Sequence, residues 1–138
     1  MYKVPKYTLK TTKFMGASGY IKITDMKPPI LIPIDIKHEI NGVTSYKNIP
    51  LSIVNDHTVR LSVMTEPFYW HYHPNSDETF LALEGVLCID LSDKTVELSP
   101  HQLITIPANV PHRTRPKNGR SVNVTFERAG IETVKLDI

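Results

Sequence analysis

From Val59 onward the chain alternates. Val59, Leu61 and Val63 interleave with Arg60, Ser62 and Met64, and Leu87, Ile89 and Leu91 interleave with Cys88 and Asp90. A period of two sets such apolar side chains on one face of a β-strand. Shorter stretches of the same kind mark residues 79–83, 95–98, 102–106, 112–115 and 121–127, the last with Val122, Val124 and Phe126 on one face. Residues 131–136 predict a final strand. Eleven prolines and six glycines fall between these runs, which argues against long helices and for many short strands. Strands at this spacing predict an all-β sandwich or barrel. Upstream the pattern is less regular. Ile30 to Ile36 alternates around Pro33, which predicts an edge strand or an irregular arm, because proline cannot donate to a ladder. We read residues 1–138 as one domain, with strands and arms over 1–55 packing on a core barrel over 56–138.

Within this pattern one stretch carries chemistry. His71 and His73 are one residue apart, so on a strand they share a face, with Trp70 and Tyr72 on the other. Pro74-Asn75-Ser76-Asp77 is turn-forming and folds the chain back to bring Glu78 beside the two imidazoles. Gly85 closes the stretch. Downstream, Pro107-Ala108-Asn109-Val110-Pro111 leads into His112. Three imidazoles and a carboxylate are a plausible complete set of ligands for a divalent transition metal. A lone His-x-His pair would read as surface histidines; the added Glu, Gly, Pro and His at fixed intervals tip the balance to a metal centre. Glu78, Phe80 and Ala82 share a face, so Phe80 reads first as core and second as a cavity wall. His38, His57 and His101 have no such partners and read as surface or loop residues.

The two stretches resemble the paired motifs of the cupins, G-x5-H-x-H-x3,4-E-x6-G and G-x5-P-x-G-x2-H-x3-N. His71, His73, Glu78 and Gly85 match the first, and Pro107 and His112 match the second. Thr65 and His101 stand where each motif opens with glycine, Asn109 replaces a turn glycine, and Pro116 replaces the closing asparagine. Asn109 is the mild change, since asparagine tolerates the left-handed conformation. The resemblance implies a jelly-roll β-barrel and one divalent metal (iron, manganese, nickel or zinc) on His71, His73, Glu78 and His112. It places the first three at one end of a hairpin and His112 on a strand of the facing sheet. It also implies a homodimer, in which the apolar run around Pro33 would find burial. An all-His/Glu shell leaves positions open for a chelating substrate. The functional expectation is therefore a metal-dependent enzyme on a small oxygen-bearing metabolite, a dioxygenase ahead of an isomerase, with a non-catalytic small-molecule or metal-binding module as the alternative. No catalytic residue beyond the ligands is identifiable, because no second acid or base stands near the motifs.

Composition narrows the rest. The net charge of +2 is too weak a bias for a nucleic-acid partner. Arg113, Arg115, Lys117 and Arg120 cluster without interleaved aromatics, and read first as a solvated rim and second as an anion-attracting mouth. Cys88, the only cysteine, excludes an internal disulfide and reads as a buried, inert thiol. Residues 1–10 lack an apolar signal core, and no apolar run spans a bilayer, so the expectation is a cytoplasmic protein without a membrane partner. Asn123-Val124-Thr125 matches a glycosylation sequon, but it falls in a strand.

Overall fold

Each run past residue 56 that alternates does become a strand in the computed structural model, which describes residues 31–137. Expectations that fall on residues 1–30 lie outside the described part. The strands are β1 (Lys47–Val54), β2 (His57–Met64), β3 (His71–Tyr72), β4 (Glu78–Glu84), β5 (Leu87–Leu91), β6 (Thr95–Leu98), β7 (Leu103–Ile106), β8 (His112–Pro116), β9 (Ser121–Arg128) and β10 (Val134–Lys135). Two antiparallel five-stranded sheets result, in the orders β1-β2-β9-β4-β7 and β10-β3-β8-β5-β6. They pack face to face through Met64, Phe80, Ala82 and Ile106 of the first sheet and Leu87, Ile89 and Leu98 of the second. Among the described residues no helix is long and apolar enough to cross a membrane.

Local chemistry fixes the turns. The β1–β2 hairpin closes over Asn55-Asp56, with Asn55 in the left-handed region at φ 54, as a two-residue hairpin turn requires. Gly85 sits at φ 67, and a Cβ there would run into the Arg120 carbonyl oxygen. Both conformation and space demand glycine. His101 and Asn109, which occupy the two glycine positions of the second motif, also lie at positive φ, 73 and 66.

The arm expected over Ile30–Ile36 is not a strand in its described part. Residues 31–35 are irregular, and Ile36–Ile40 forms a short helix, α1. Asp35 starts it by accepting a hydrogen bond from the His38 amide at 3.3 Å, an N-cap that satisfies a donor the first turn leaves open. Ile36 and Ile40, four apart, then fall on one face. They pack with Ile34 and Val43 on Leu51, Leu61, Val63, Val122 and Val124. A second apolar cluster thus lies on the outer face of the first sheet. Leu61, Val63 and Val122 are wholly buried there, each burial contributing about 1.5–3 kcal/mol.

Candidate metal centre

β-strand alternation puts Arg60, Ser62 and Met64 of β2, Asn123, Thr125 and Glu127 of β9, and Glu78 and Phe80 of β4 on the inner face of the first sheet. With His71, His73, Phe68, Thr114, Ile131 and Thr133 they line a cavity of about 100 Å³. Three of the four expected ligands, His71, His73 and Glu78, line it, and His112 is buried beside them. One candidate ligand atom from each of His71, His73, Glu78 and His112 lies within 4.8 Å of the others, and all four residues are buried.

They arrive by a different route from the one expected. His71 of β3 is paired directly with His112 of β8, so both belong to the second sheet. Glu78 opens β4 in the first sheet. The turn at Pro74–Asp77 is therefore not a hairpin within one sheet but a crossing between sheets. His112 is a cross-strand neighbour of His71, and the carboxylate is the ligand from the facing sheet. Short turns signal reversal, but they do not say whether the chain returns to the same sheet.

That crossing is tied down on both sides. Asn75 donates to the Gly130 carbonyl at 2.9 Å and accepts from the Glu132 amide at 2.8 Å. Ser76 Oγ accepts from the Arg128 amide. Asp77 accepts from the Ala108 amide at 2.8 Å, and the Asn109 amide donates to the His73 carbonyl.

Each imidazole is oriented by a backbone carbonyl. Nδ1 of His71 faces the Tyr69 oxygen at 2.8 Å, Nδ1 of His73 the Glu132 oxygen at 2.9 Å, and Nδ1 of His112 the Val110 oxygen at 2.8 Å. A carbonyl only accepts, so each Nδ1 carries the proton and each Nε2 turns a lone pair to the centre. The Nε2 atoms of His73 and His112 stand 3.5 and 3.4 Å from Glu78 Oε1, and His73 Nε2 is buried without a well-formed hydrogen bond. Three lone pairs and a carboxylate converge with nothing but protons to satisfy them. That donor set fits a cation.

The protonation energetics agree. Burial depresses the His71 pKa to about 4, against an upward pull from the Tyr69 carbonyl, and the neighbouring imidazoles add to the depression. Burial also pulls His73 down, but the Glu78 carboxylate and the Glu132 carbonyl outweigh it and the net shift is upward. For Glu78 burial is overcome by the pull of the His112 and His73 imidazoles beside Oε1 and by the hydrogen bond from Glu127, which together hold its pKa well below the usual range. The Glu78 carboxylate thus favours a proton on His73, with which a metal ion at this centre would compete.

Sequence reasoning missed one acid. Glu127 of β9 lies directly across from Glu78. Burial, the Glu78 charge and the hydrogen bond it gives Glu78 push its carboxyl well above the ordinary value. Its other neighbour is Arg60, with Nε 3.8 Å from Glu127 Oε1 and 2.7 Å from Asn48 Oδ1. The available signal was the polar alternation Ser121, Asn123, Thr125, Glu127, which reads as a solvent face and is the cavity wall.

Other candidates take their bland readings. His38, His57 and His101 are exposed. Phe80 serves both roles, buried in the core and lining the cavity. Asn123 is 1% exposed and faces inward, so the sequon is part of the wall. Cys88 is buried, with its pKa raised by burial. The basic cluster is an ion-paired rim. Arg113 and Arg115 both hold Asp90, Lys117 holds Glu97 and Arg120 holds Glu84, and none of the four lines the cavity.

Comparison with known proteins bears on family and fold. The family model described as a cupin domain matches residues 57–123. An uncharacterized protein of Bacillus subtilis, YdbB, is 45% identical over 93 residues, 67% of this chain and 81% of its own length. The chain belongs to the cupins. Among solved structures this cupin resembles a cupin-2 domain protein from Shewanella frigidimarina, with a TM-score of 0.64 and 24% identity over 69% of this chain and 93% of that one. It also resembles the DMSP lyase DddQ from Ruegeria pomeroyi, with a TM-score of 0.55 and 17% identity over 67% of this chain and 51% of that one. At these identities the likeness is one of fold, and sites grafted on a fold differ in function.

Proposed function

We propose that this cupin is a metal-dependent enzyme acting on a small oxygen-bearing metabolite. The observation that carries the proposal is the convergence of three carbonyl-oriented Nε2 lone pairs on the Glu78 carboxylate inside a cavity. In this reading His71, His73, Glu78 and His112 hold one divalent ion of iron, manganese, nickel or zinc. Bound there, it supplies Lewis acidity or a redox couple to a chelated substrate oxygen. The chain's own residues do the rest. Met64, Phe68 and Phe80 shape the wall and exclude water, while the Glu127 carboxyl holds or releases a proton beside Glu78. The sequence offered no such acid, which kept a non-catalytic binding module in play; Glu127 favours an enzyme. A carboxyl there serves isomerisation as directly as oxygen insertion, so both reactions belong in the test.

The metal-free protein is loaded in turn with Fe(II), Mn(II), Ni(II) and Zn(II), and offered diketones, catechols, 2-oxo acids and sugar phosphates. Oxygen uptake and product are followed. The expected result is turnover with one metal, lost in His112→Ala, and bound metal falling by more than tenfold in His73→Ala. Tight binding of a compound that no metal form transforms supports the binding module instead, and a wild type that takes up no metal overturns the centre. A homodimer remains part of the proposal, supported by Leu103 and Phe126, which stay 60% and 39% exposed on the outer face of the first sheet. A monomeric mass by light scattering at micromolar concentration refutes it.

A further inference from the structure

The inner face of the first sheet carries more polar chemistry than four ligands need. A row of side chains leads away from Glu78 across the sheet: Glu127 beside it, then Arg60, then Asn48, which bonds Tyr46 at the half-exposed rim. Arg60 is 7% exposed, and among the described residues that line the cavity it is the only lysine or arginine. Its strand, β2, is separated from β4 only by β9, so at the usual strand spacing it runs about 10 Å from the strand of Glu78. Asn48 and Glu127 hold the guanidinium in place, so it borders the cavity as an oriented cation.

A second observation points the same way. Asn123 is 1% exposed, lines the same cavity beside Ser62 of β2, and its Oδ1 has no hydrogen-bond partner. A buried orphan acceptor costs about 1–3 kcal/mol, a cost that a ligand donating a hydrogen bond would remove. The volume matters as well. About 100 Å³ is somewhat less than the roughly 150 Å³ cavity that takes up benzene in another protein, which suits a molecule of a few carbons and not a polycyclic or nucleotide-linked one.

We infer that the substrate is a small organic acid, chelated at the His/Glu centre through one end and received at its far carboxylate by Arg60, with a hydroxyl or amide hydrogen donated to Asn123. The guanidinium fork matches a carboxylate in two-point geometry. This inference rests on the metal reading above, and the experiment separates the two. Protein loaded with Co(II) is titrated with succinate monohydroxamate, whose hydroxamate chelates metal and whose far end is a carboxylate, and with its far-end amide. The two share the chelating head, so a difference in affinity reads the far site. Cobalt content and the cobalt absorption spectrum report the head.

The acid is expected to bind at least tenfold tighter than the amide in wild type. The preference should vanish in Arg60→Gln and be partly kept in Arg60→Lys, and Asn123→Ala should weaken both probes. Full cobalt loading with equal affinities for acid and amide in wild type overturns the inference and leaves the metal centre standing. A preference that survives undiminished in folded Arg60→Gln also overturns it. No cobalt uptake overturns the metal reading, and the inference falls with it. The wild-type comparison needs no variant to fold.

Discussion

On β2 and β9, Leu61, Val63, Val122 and Val124 point one way, and Arg60, Ser62, Asn123, Thr125 and Glu127 the other. In a soluble sandwich the apolar set would be expected to face the opposite sheet and the polar set water. Here the apolar set lies outside, roofed by α1, and the polar set lies between the sheets. The part of the inner face toward Phe80, Ala82 and Ile106 still packs on Leu87 and Ile89 as an ordinary core. One sheet therefore serves two interiors, a dry one beneath the short helix and a polar one around the candidate metal ligands. Alternation establishes that a strand has two faces. It does not establish which of them is indoors.

The outer cluster should carry stability and little else. Leu61→Ala removes a wholly buried side chain and should cost about 2–5 kcal/mol in urea unfolding, while metal affinity of the folded protein stays within twofold. A large loss of metal affinity would mean the two interiors are not separable.

The inner cluster should make the metal-free protein acid-sensitive. The His71 pKa is about 4 in the fold against an ordinary 6.5, so as pH falls from about 6.5 to about 4 the unfolded chain takes up a proton that the native one refuses. This loses stability by up to about 1.4 kcal/mol per pH unit. His73, shifted upward, has the opposite sign. Its contribution is full below the ordinary value and fades as pH rises through the raised one. Metal-free His71→Gln should flatten the acid limb in denaturant titrations at stepped pH; an unchanged limb refutes the assignment.

Asn75 lies between the two regimes, since it touches no metal-facing atom. Asn75→Ala frees residues 130–132, whose Glu132 carbonyl orients His73. Metal affinity should fall about tenfold, read by competition with a chelating dye, with a smaller change in unfolding midpoint. The smallest effect is expected at His101, an exposed residue at φ 73. His101→Gly relieves a left-handed strain of about 1–2 kcal/mol, offset by the entropy glycine loses. The net gain should be about 0.5–1 kcal/mol in thermal unfolding.

These comparisons also explain what was legible in the sequence. His71, His73, Glu78 and His112 could be read because their chemistry is local and rare. So could the strands, because a period of two survives without knowledge of partners. The sheet assignment of His112 was not legible, since pairing of β3 with β8 depends on residues forty apart closing together, and no local pattern encodes that. Arg60, Asn123 and Glu127 were hidden because polar alternation has the same appearance whether it faces solvent or a cavity. The helix at Ile36–Ile40 is a single short turn after Pro33, too brief to show a helical period, and only the capping Asp35 marks its start.

The carbonyl of Glu132 gives the centre an order of assembly. During synthesis His71, Glu78 and His112 emerge, and β9 can zip onto β2 and β4, while His73 still lacks the acceptor that sets its tautomer. Only after residues 130–135 have left the ribosome and β10 has paired with β3 is the fourth ligand aimed. Any ion capture there would wait on that last pairing, and a nascent or clipped protein ending near Arg128 would present a half-made trap with weak hold on a metal.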